Sequence, residues 1–179
     1  MSTGQAANGQ AIDEQATRVS VLMVCLGNIC RSPSAHGVLQ KAVENNSLAD
    51  KIAVDSAGTS HYHIGQSPDP RSIQAAARRG YALHELRARQ LRDADYQQFD
   101  YILAMDAANL QEIRSRAPIN CAAHLGLLLD FSDSEQDSVP DPYYSGAEGF
   151  ELVLDLIEGA CDGLLDAIRA RHLPELRKG

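Results

Sequence analysis

The run VSVLMVCL (19–26) is apolar at every position except Ser20, is rich in β-branched residues, and carries a cysteine near its end. A strand with no polar face is one buried on both sides, which is the habit of a parallel sheet covered by helices. The rest of the chain repeats that theme. KIAVDSA (51–57), DYILAMD (100–106) and INCAAHLGLLLDF (119–131) read as three further strands. Helical spacing follows the first: Ala35, Val38, Leu39, Ala42 and Val43 share one face, with Ser32 as expected N-cap and Pro33 at the first helical position. PRSIQAAARRGY (70–81) predicts a second helix ending near Gly80, and AANLQEIRSRA a third. Phe150, Val153, Leu154, Ile157, Cys161, Leu164, Leu165 and Ile168 form one stripe of a long final helix. Its other face, with Glu151, Asp155, Glu158, Asp162 and Asp166, reads as solvated, and Pro174 lies beyond. The expected fold class is therefore α/β, a four-stranded parallel sheet flanked by helices on both faces. One domain would occupy 19–174, preceded by a polar, flexible extension over 1–18.

Composition narrows the partners. A net charge of -8 argues against a broad surface for nucleic acid or anionic membrane, while leaving room for one local anion pocket. No stretch is long enough to insert into a membrane, and no secretory signal is visible. Four cysteines are too few for a disulfide framework, so a reducing cytoplasm is the expected compartment. Cys121 and Cys161 read as small buried hydrophobes. His61 and His63 read as part of a solvated loop rather than a metal pair, and His36 and His124 as structural. No metal and no cofactor is called for.

The chemistry concentrates in CLGNICRS (25–32), between the first strand and the first helix. In a parallel α/β sheet, ligands bind beyond the carboxyl ends of the strands, where Cys25 falls. Successive backbone N–H groups of a tight loop converge on an anion, and the following helix adds its positive end. Gly27 permits close backbone approach, and Asn28 tolerates left-handed backbone angles. Arg31 offers a planar fork for two oxygens of a tetrahedral anion. The same groups stabilise a thiolate. A free cysteine is only a few per cent ionised at neutral pH, and two or three hydrogen bonds to a charge, each about 1.5–3 kcal/mol, suffice to reverse that. Cys30 reads either as a loop-packing residue or as a reversible disulfide partner for Cys25.

Three stretches, VCLGNICRSPSA, VDSAGTSHYHIGQSPDPRS and VPDPYY, resemble the low-molecular-weight protein tyrosine phosphatases, above all the bacterial members, across most of 19–172. The resemblance implies a flavodoxin-like, phosphotyrosine phosphatase I fold and hydrolysis of phosphotyrosine through a cysteinyl-phosphate. It implies Cys25 as nucleophile, Arg31 as phosphate ligand and Asp141, held between Pro140 and Pro142, as general acid and then base. Leu26, Gly27, Asn28, Ile29, Cys30 and Ser32 would surround the phosphate, and Tyr62, Tyr143 and Tyr144 would wall the mouth. Asn28, Ser32 and Ser56 would brace the loop. Where some relatives have a histidine in that bracing network this chain has Leu86, which shifts weight onto Asn28 and Ser56. The implied partner is a phosphotyrosyl protein, such as a tyrosine kinase of exopolysaccharide production. Two other readings stand beside it. Arsenate reduction on the same scaffold resembles a relay through two closely spaced cysteines, whereas Cys121 and Cys161 lie far apart. A non-catalytic phosphate-binding module would be expected to lack either the nucleophile or the acid.

Overall fold

A computed structural model of the protein describes residues 18–174. The extension expected over 1–18 falls, except for Arg18, outside the described residues.

Among the described residues the sheet has four parallel strands: β1 (Val19–Cys25), β2 (Ile52–Gly58), β3 (Tyr101–Ala104) and β4 (His124–Leu127). Their spatial order is β2-β1-β3-β4, with Cys25 opposite Gly58 and Val24 opposite Ala104. The chain therefore winds one way from β1 to β2 and then crosses to the other side of β1. Alternate side chains of β1 go to opposite faces, as the pleat requires. Val21, Met23 and Cys25 join a core with α1 (Arg31–Asn45) and α5 (Ala147–His172). Leu22 and Val24 join a second core with Tyr96 of α3 (Asp95–Gln98) and with Leu110 and Ile113 of α4 (Ala107–Arg116). The near-absence of polar residues in β1 is thus explained: both faces are covered.

Several boundaries differ from the sequence expectation, each for a local reason. Helix α1 begins at Arg31, so Ser32 lies inside its first turn and is not the N-cap; its hydroxyl serves the cysteine loop instead. Helix α2 (Pro70–Arg78) is capped by the Asp69 carboxylate, which accepts from Arg71 N–H at 2.9 Å, and it ends before Gly80 at φ 87°. The fourth strand is much shorter than 119–131. A turn closed by Cys121 N–H to the Pro118 carbonyl precedes it, and a single 3₁₀ turn (Leu128–Phe131) follows. Cys121 is consequently only half-buried. The single-turn α3 was not legible at all.

Every residue of the α5 stripe is buried. Its acidic face is not simply solvated. Glu151, Asp155 and Glu158 converge on Arg79, just after α2, at 2.5, 2.9 and 2.9 Å, and pin that segment to α5. At the amino end of the sheet Tyr101 packs against the exposed His124, and the Tyr101 hydroxyl lies 3.0 Å from His172 Nε2.

Where α5 crosses the 3₁₀ turn the backbones touch. A Cβ on Gly163 would collide with the Phe131 carbonyl, whereas one on exposed Gly159 meets nothing within 4 Å. Gly163→Ala is expected to destabilise by about 1–3 kcal/mol through overpacking. Gly159→Ala should stabilise by up to about 1 kcal/mol through helix propensity. Urea unfolding midpoints check the pair, and equal shifts would contradict the contact.

Candidate active site

The strand order reverses between β1 and β3, so the segments leaving their carboxyl ends diverge and open a crevice between them. Cys25 is the last residue of β1, and Asp106 follows the end of β3 as the N-cap of α4. These two loops supply most of the site.

Asn28 organises the first of them. It sits at φ 56°, in the left-handed region that asparagine tolerates, which turns its backbone N–H onto Cys25 Sγ at 3.3 Å. Its side-chain Nδ2 donates to Ser32 Oγ at 2.8 Å, and its Oδ1 accepts from the Arg89 backbone N–H at 3.0 Å. Ser32 Oγ lies 3.0 Å from Cys25 Sγ and 3.3 Å from the Ala57 carbonyl. Since Asn28 fills an acceptor site of that hydroxyl, its one proton is left for the sulfur or, at longer range, the carbonyl. Gly58 closes the loop from beneath: a Cβ there would stand 2.7 Å from the Leu26 carbonyl oxygen and 3.1 Å from Asn28 N.

Arg31 is 4% exposed, so its charge needs partners. Its Nη1 donates to Asp106 Oδ2 at 2.6 Å and to the Val139 carbonyl at 3.1 Å, and Nη2 stands 3.8 Å from Asp141 Oδ2. The other Asp106 oxygen accepts from the Asn109 backbone N–H at 2.7 Å. One carboxylate thus ties the start of α4 to the guanidinium. The loop bearing Asp141 is anchored by Val139 N–H to the Met105 carbonyl at 2.8 Å and shaped by Pro140 and Pro142.

These groups surround a cavity of about 270 Å³. Cys25, Leu26, Gly27, Ile29, Cys30 and Arg31 line it, with Asp141 and the three tyrosines Tyr62, Tyr143 and Tyr144. The tyrosines form an open rim, exposed by 41% at Tyr143 and 96% at Tyr144, whose rings meet edge to face. Asn28 and Ser32 stand behind the wall as braces rather than on it. Burial, above all, pushes the Cys30 thiol up to about 12. All four cysteines are free thiols.

One expected brace lies elsewhere. Ser56 makes no hydrogen bond to the loop among the described residues; its hydroxyl is 3.0 Å from His36 Nδ1. The outer tie is supplied by Arg89, whose guanidinium is gripped by Asp55 at 3.1 Å and by the fully buried Asp95 at 3.0 Å. Sequence reading missed Arg89 because the useful group is a backbone N–H, which no side-chain identity advertises. It missed Asp106 although the rule that located Cys25, the residue at the carboxyl end of a buried strand, applies equally to β3. His63, read as solvated, lines the cavity beside Gly27, with its Nδ1 3.0 Å from Gln66 Oε1. No cluster of metal-ligating residues occurs among the described residues.

Comparison with known proteins places these features in context. The family model described as low molecular weight phosphotyrosine protein phosphatase matches residues 20–173. The Bacillus subtilis low molecular weight protein-tyrosine-phosphatase YfkJ is 43% identical over 152 residues, covering 84% of this chain and 96% of that protein. The human low molecular weight phosphotyrosine protein phosphatase is 41% identical over 155 residues, covering 86% and 97%. A crystal structure of a protein tyrosine phosphatase from Entamoeba histolytica, with Hepes in its active site, superposes with a TM-score of 0.82 at 40% identity, covering 85% of this chain and 97% of that one.

Desolvation lowers the His36 pKa below its ordinary value; nearby Asp55 opposes this and Arg89 adds to it. A histidine kept neutral in the folded state binds fewer protons than the unfolded chain, so stability is present above the unfolded pKa and is lost as pH falls through that value. From about pH 7.5 to about pH 5.5, a range that brackets the ordinary histidine value, the wild type should lose more unfolding free energy than His36→Asn. Urea titrations at both ends check this, and parallel losses would contradict it.

Proposed function

The chain belongs to the low molecular weight phosphotyrosine protein phosphatase family and is a protein-tyrosine phosphatase, and we propose that Cys25, Arg31 and Asp141 carry out its hydrolysis. The observation that carries this assignment is that Cys25, the Arg31 guanidinium and Asp141 line one cavity, with the Asn28 N–H and the Ser32 hydroxyl already on the Cys25 sulfur.

The phosphate of a phosphotyrosyl side chain enters the loop 25–31, where backbone N–H groups and Arg31 hold its equatorial oxygens. Arg31 can do this without losing its place, because Asp106 and the Val139 carbonyl occupy only Nη1. Cys25 Sγ attacks phosphorus in line, the bond to the tyrosyl oxygen breaks, and Asp141 gives that oxygen its proton. Asp141 suits the task by position, since it is 50% exposed at the rim and its backbone is held by two prolines. In the second step Asp141 takes a proton from water, the water oxygen attacks the cysteinyl-phosphate, and the S–P bond breaks to release phosphate. The Ser32 hydroxyl supports the departing thiolate. Tyr62, Tyr143 and Tyr144 stand where the phenyl ring of the substrate would rest, a support that the shorter serine ester could not reach.

The substrate class is phosphotyrosyl protein. The finer reading, a tyrosine kinase of exopolysaccharide production met in the cytoplasm, draws its support from the likeness to bacterial relatives and from the free thiols. No helix among the described residues is long and apolar enough to cross a membrane. Arsenate reduction is not favoured: Cys161 is fully buried, with its thiol pushed well above the usual range by that burial, and Cys121 lies on the opposite side of the sheet.

Asp141→Asn keeps shape and removes the proton. Its kcat/KM on a phosphotyrosyl peptide, which reports the first step and has a poor leaving group, should fall by about 10²–10³-fold. Its kcat/KM on 4-nitrophenyl phosphate, whose leaving group needs little help, should fall far less. Stopped-time assays of both substrates check this, and equal losses would remove Asp141 from the acid role.

A further inference from the structure

Residues 86–92 belong to no helix or strand, apart from a single bridge between Gln90 and Gly58. Four of them nevertheless join the parts of the site. Ala88 N–H donates to the Gln66 carbonyl at 2.9 Å, and the Ala88 carbonyl accepts from Gly65 N–H at 2.8 Å. These bonds pin the far end of the loop that carries Tyr62 and His63. Arg89 N–H donates to Asn28 Oδ1 at 3.0 Å, and the Arg89 carbonyl accepts from Gly58 N–H at 2.8 Å. Gln90 Nε2 donates to the Thr59 carbonyl at 3.2 Å, and Leu91 N–H to the Gly58 carbonyl at 2.7 Å. The segment is a strut shared by the cysteine loop, the strand end beneath it and the loop of the tyrosine rim.

The strut is clamped by a side chain that points away from the chemistry. The Arg89 guanidinium lies between Asp55 and Asp95, and none of these three residues lines the catalytic cavity. Asp95 is the firmer partner. It is fully buried, its Oδ2 accepts from Arg89 Nη1 at 3.0 Å and from Arg92 N–H at 2.9 Å, and its Oδ1 accepts from Arg89 Nη2 at 3.1 Å. This is the fork geometry in which a carboxylate fixes direction as well as position. Asp55 is 43% exposed, so water screens its hold on Arg89 Nε at 3.2 Å. Arg89 meets the site through its backbone, and its side chain therefore acts there only by where it holds that backbone.

We propose that Asp95 is a positioning residue for the hydrolysis: through Arg89 it sets the strut, and through the strut the cysteine loop and the tyrosine rim together. The proposal rests on the phosphatase reading above. Apolar residues of similar size often replace a buried ion pair without loss of stability, so the contribution of this pair lies in geometry and is separable from folding.

Measuring kcat/KM on 4-nitrophenyl phosphate beside urea unfolding midpoints of the full chain tests this. Asp95→Asn keeps an acceptor for Arg92 N–H and removes the charge. Its kcat/KM should fall by about 10- to 100-fold, the upper figure being the cost of a misplacement of roughly 1 Å. Arg89→Met should lose as much although its backbone N–H is kept, and Arg89→Lys, which keeps a charge for Asp95, should retain more. The double variant Asp95→Asn with Arg89→Met strands no charge, so its midpoint should recover relative to the single variants while kcat/KM stays low. It also carries the test if Asp95→Asn alone fails to fold. Recovery of the rate along with the midpoint would reduce the pair to a stabilising contact and overturn the proposal. Tyr96→Phe, which loses the buried bond to the Ile113 carbonyl but none in the strut, should lower the midpoint and leave kcat/KM unchanged. If the double variant stays unstable, this comparison decides: an unchanged rate in Tyr96→Phe supports positioning, and proportionate losses overturn it. An unaltered kcat/KM in Asp95→Asn, or Arg89→Lys no better than Arg89→Met, refutes the positioning role alone. A wild type that hydrolyses no aryl phosphate refutes the phosphatase reading beneath it.

Discussion

A single side chain, Asn28, holds the cysteine loop in the shape on which the site depends. Its left-handed backbone aims an N–H at sulfur, and its carboxamide spends one end on Ser32 and the other on the Arg89 backbone. A left-handed non-glycine residue is unfavourable alone, by roughly 1–3 kcal/mol, and persists when its surroundings over-determine it. Here they do. The bond to Ser32 is buried and the one to Arg89 partly so, the loop packs directly on Gly58, and Arg89 is itself gripped by Asp55 and Asp95. These ties hold the loop's donors in place through the protein's own contacts, the fixed arrangement on which electrostatic stabilisation relies.

The second constraint is topological. Because β1 has β2 on one side and β3 on the other, the crevice at its carboxyl end is bounded by two segments that leave in different directions. That is why Arg31, on α1, and Asp106, at the head of α4, meet at 2.6 Å although 75 residues separate them. Breaking a buried pair costs about 3–5 kcal/mol when one charge is stranded. With Asp106 27% exposed, the lower end of that range applies. The pair holds the guanidinium in place without using up its capacity for a phosphate.

How far the sequence could be read follows from what kind of group does each job. The α/β class, the four strands and the long α5 were legible because burial writes itself into apolar periodicity. Cys25, Arg31 and Asp141 were legible because a loop and a proline-flanked carboxylate carry their own local signals, strengthened by family resemblance. Less visible were groups whose role is set across the fold. Arg89 acts through a backbone N–H, Asp106 through a neighbour reached only by strand order, and α3 is one turn long. Ser56 shows the converse error: the residue type suited a brace, but its hydroxyl pairs with His36. The carboxylates of α5 looked like ordinary solvated charge until Arg79 was brought against them.

The central claim is that the sulfur beneath Asn28 and Ser32 takes the phosphoryl group. Quenching the Asp141→Asn enzyme with acid during turnover of 4-nitrophenyl phosphate, followed by proteolysis and mass spectrometry, addresses it directly. The account predicts one phosphoryl group on the peptide that contains Cys25, and none in the corresponding Cys25→Ser protein, which should no longer turn over. A phosphoryl group on any other residue, or undiminished turnover by Cys25→Ser, would contradict it.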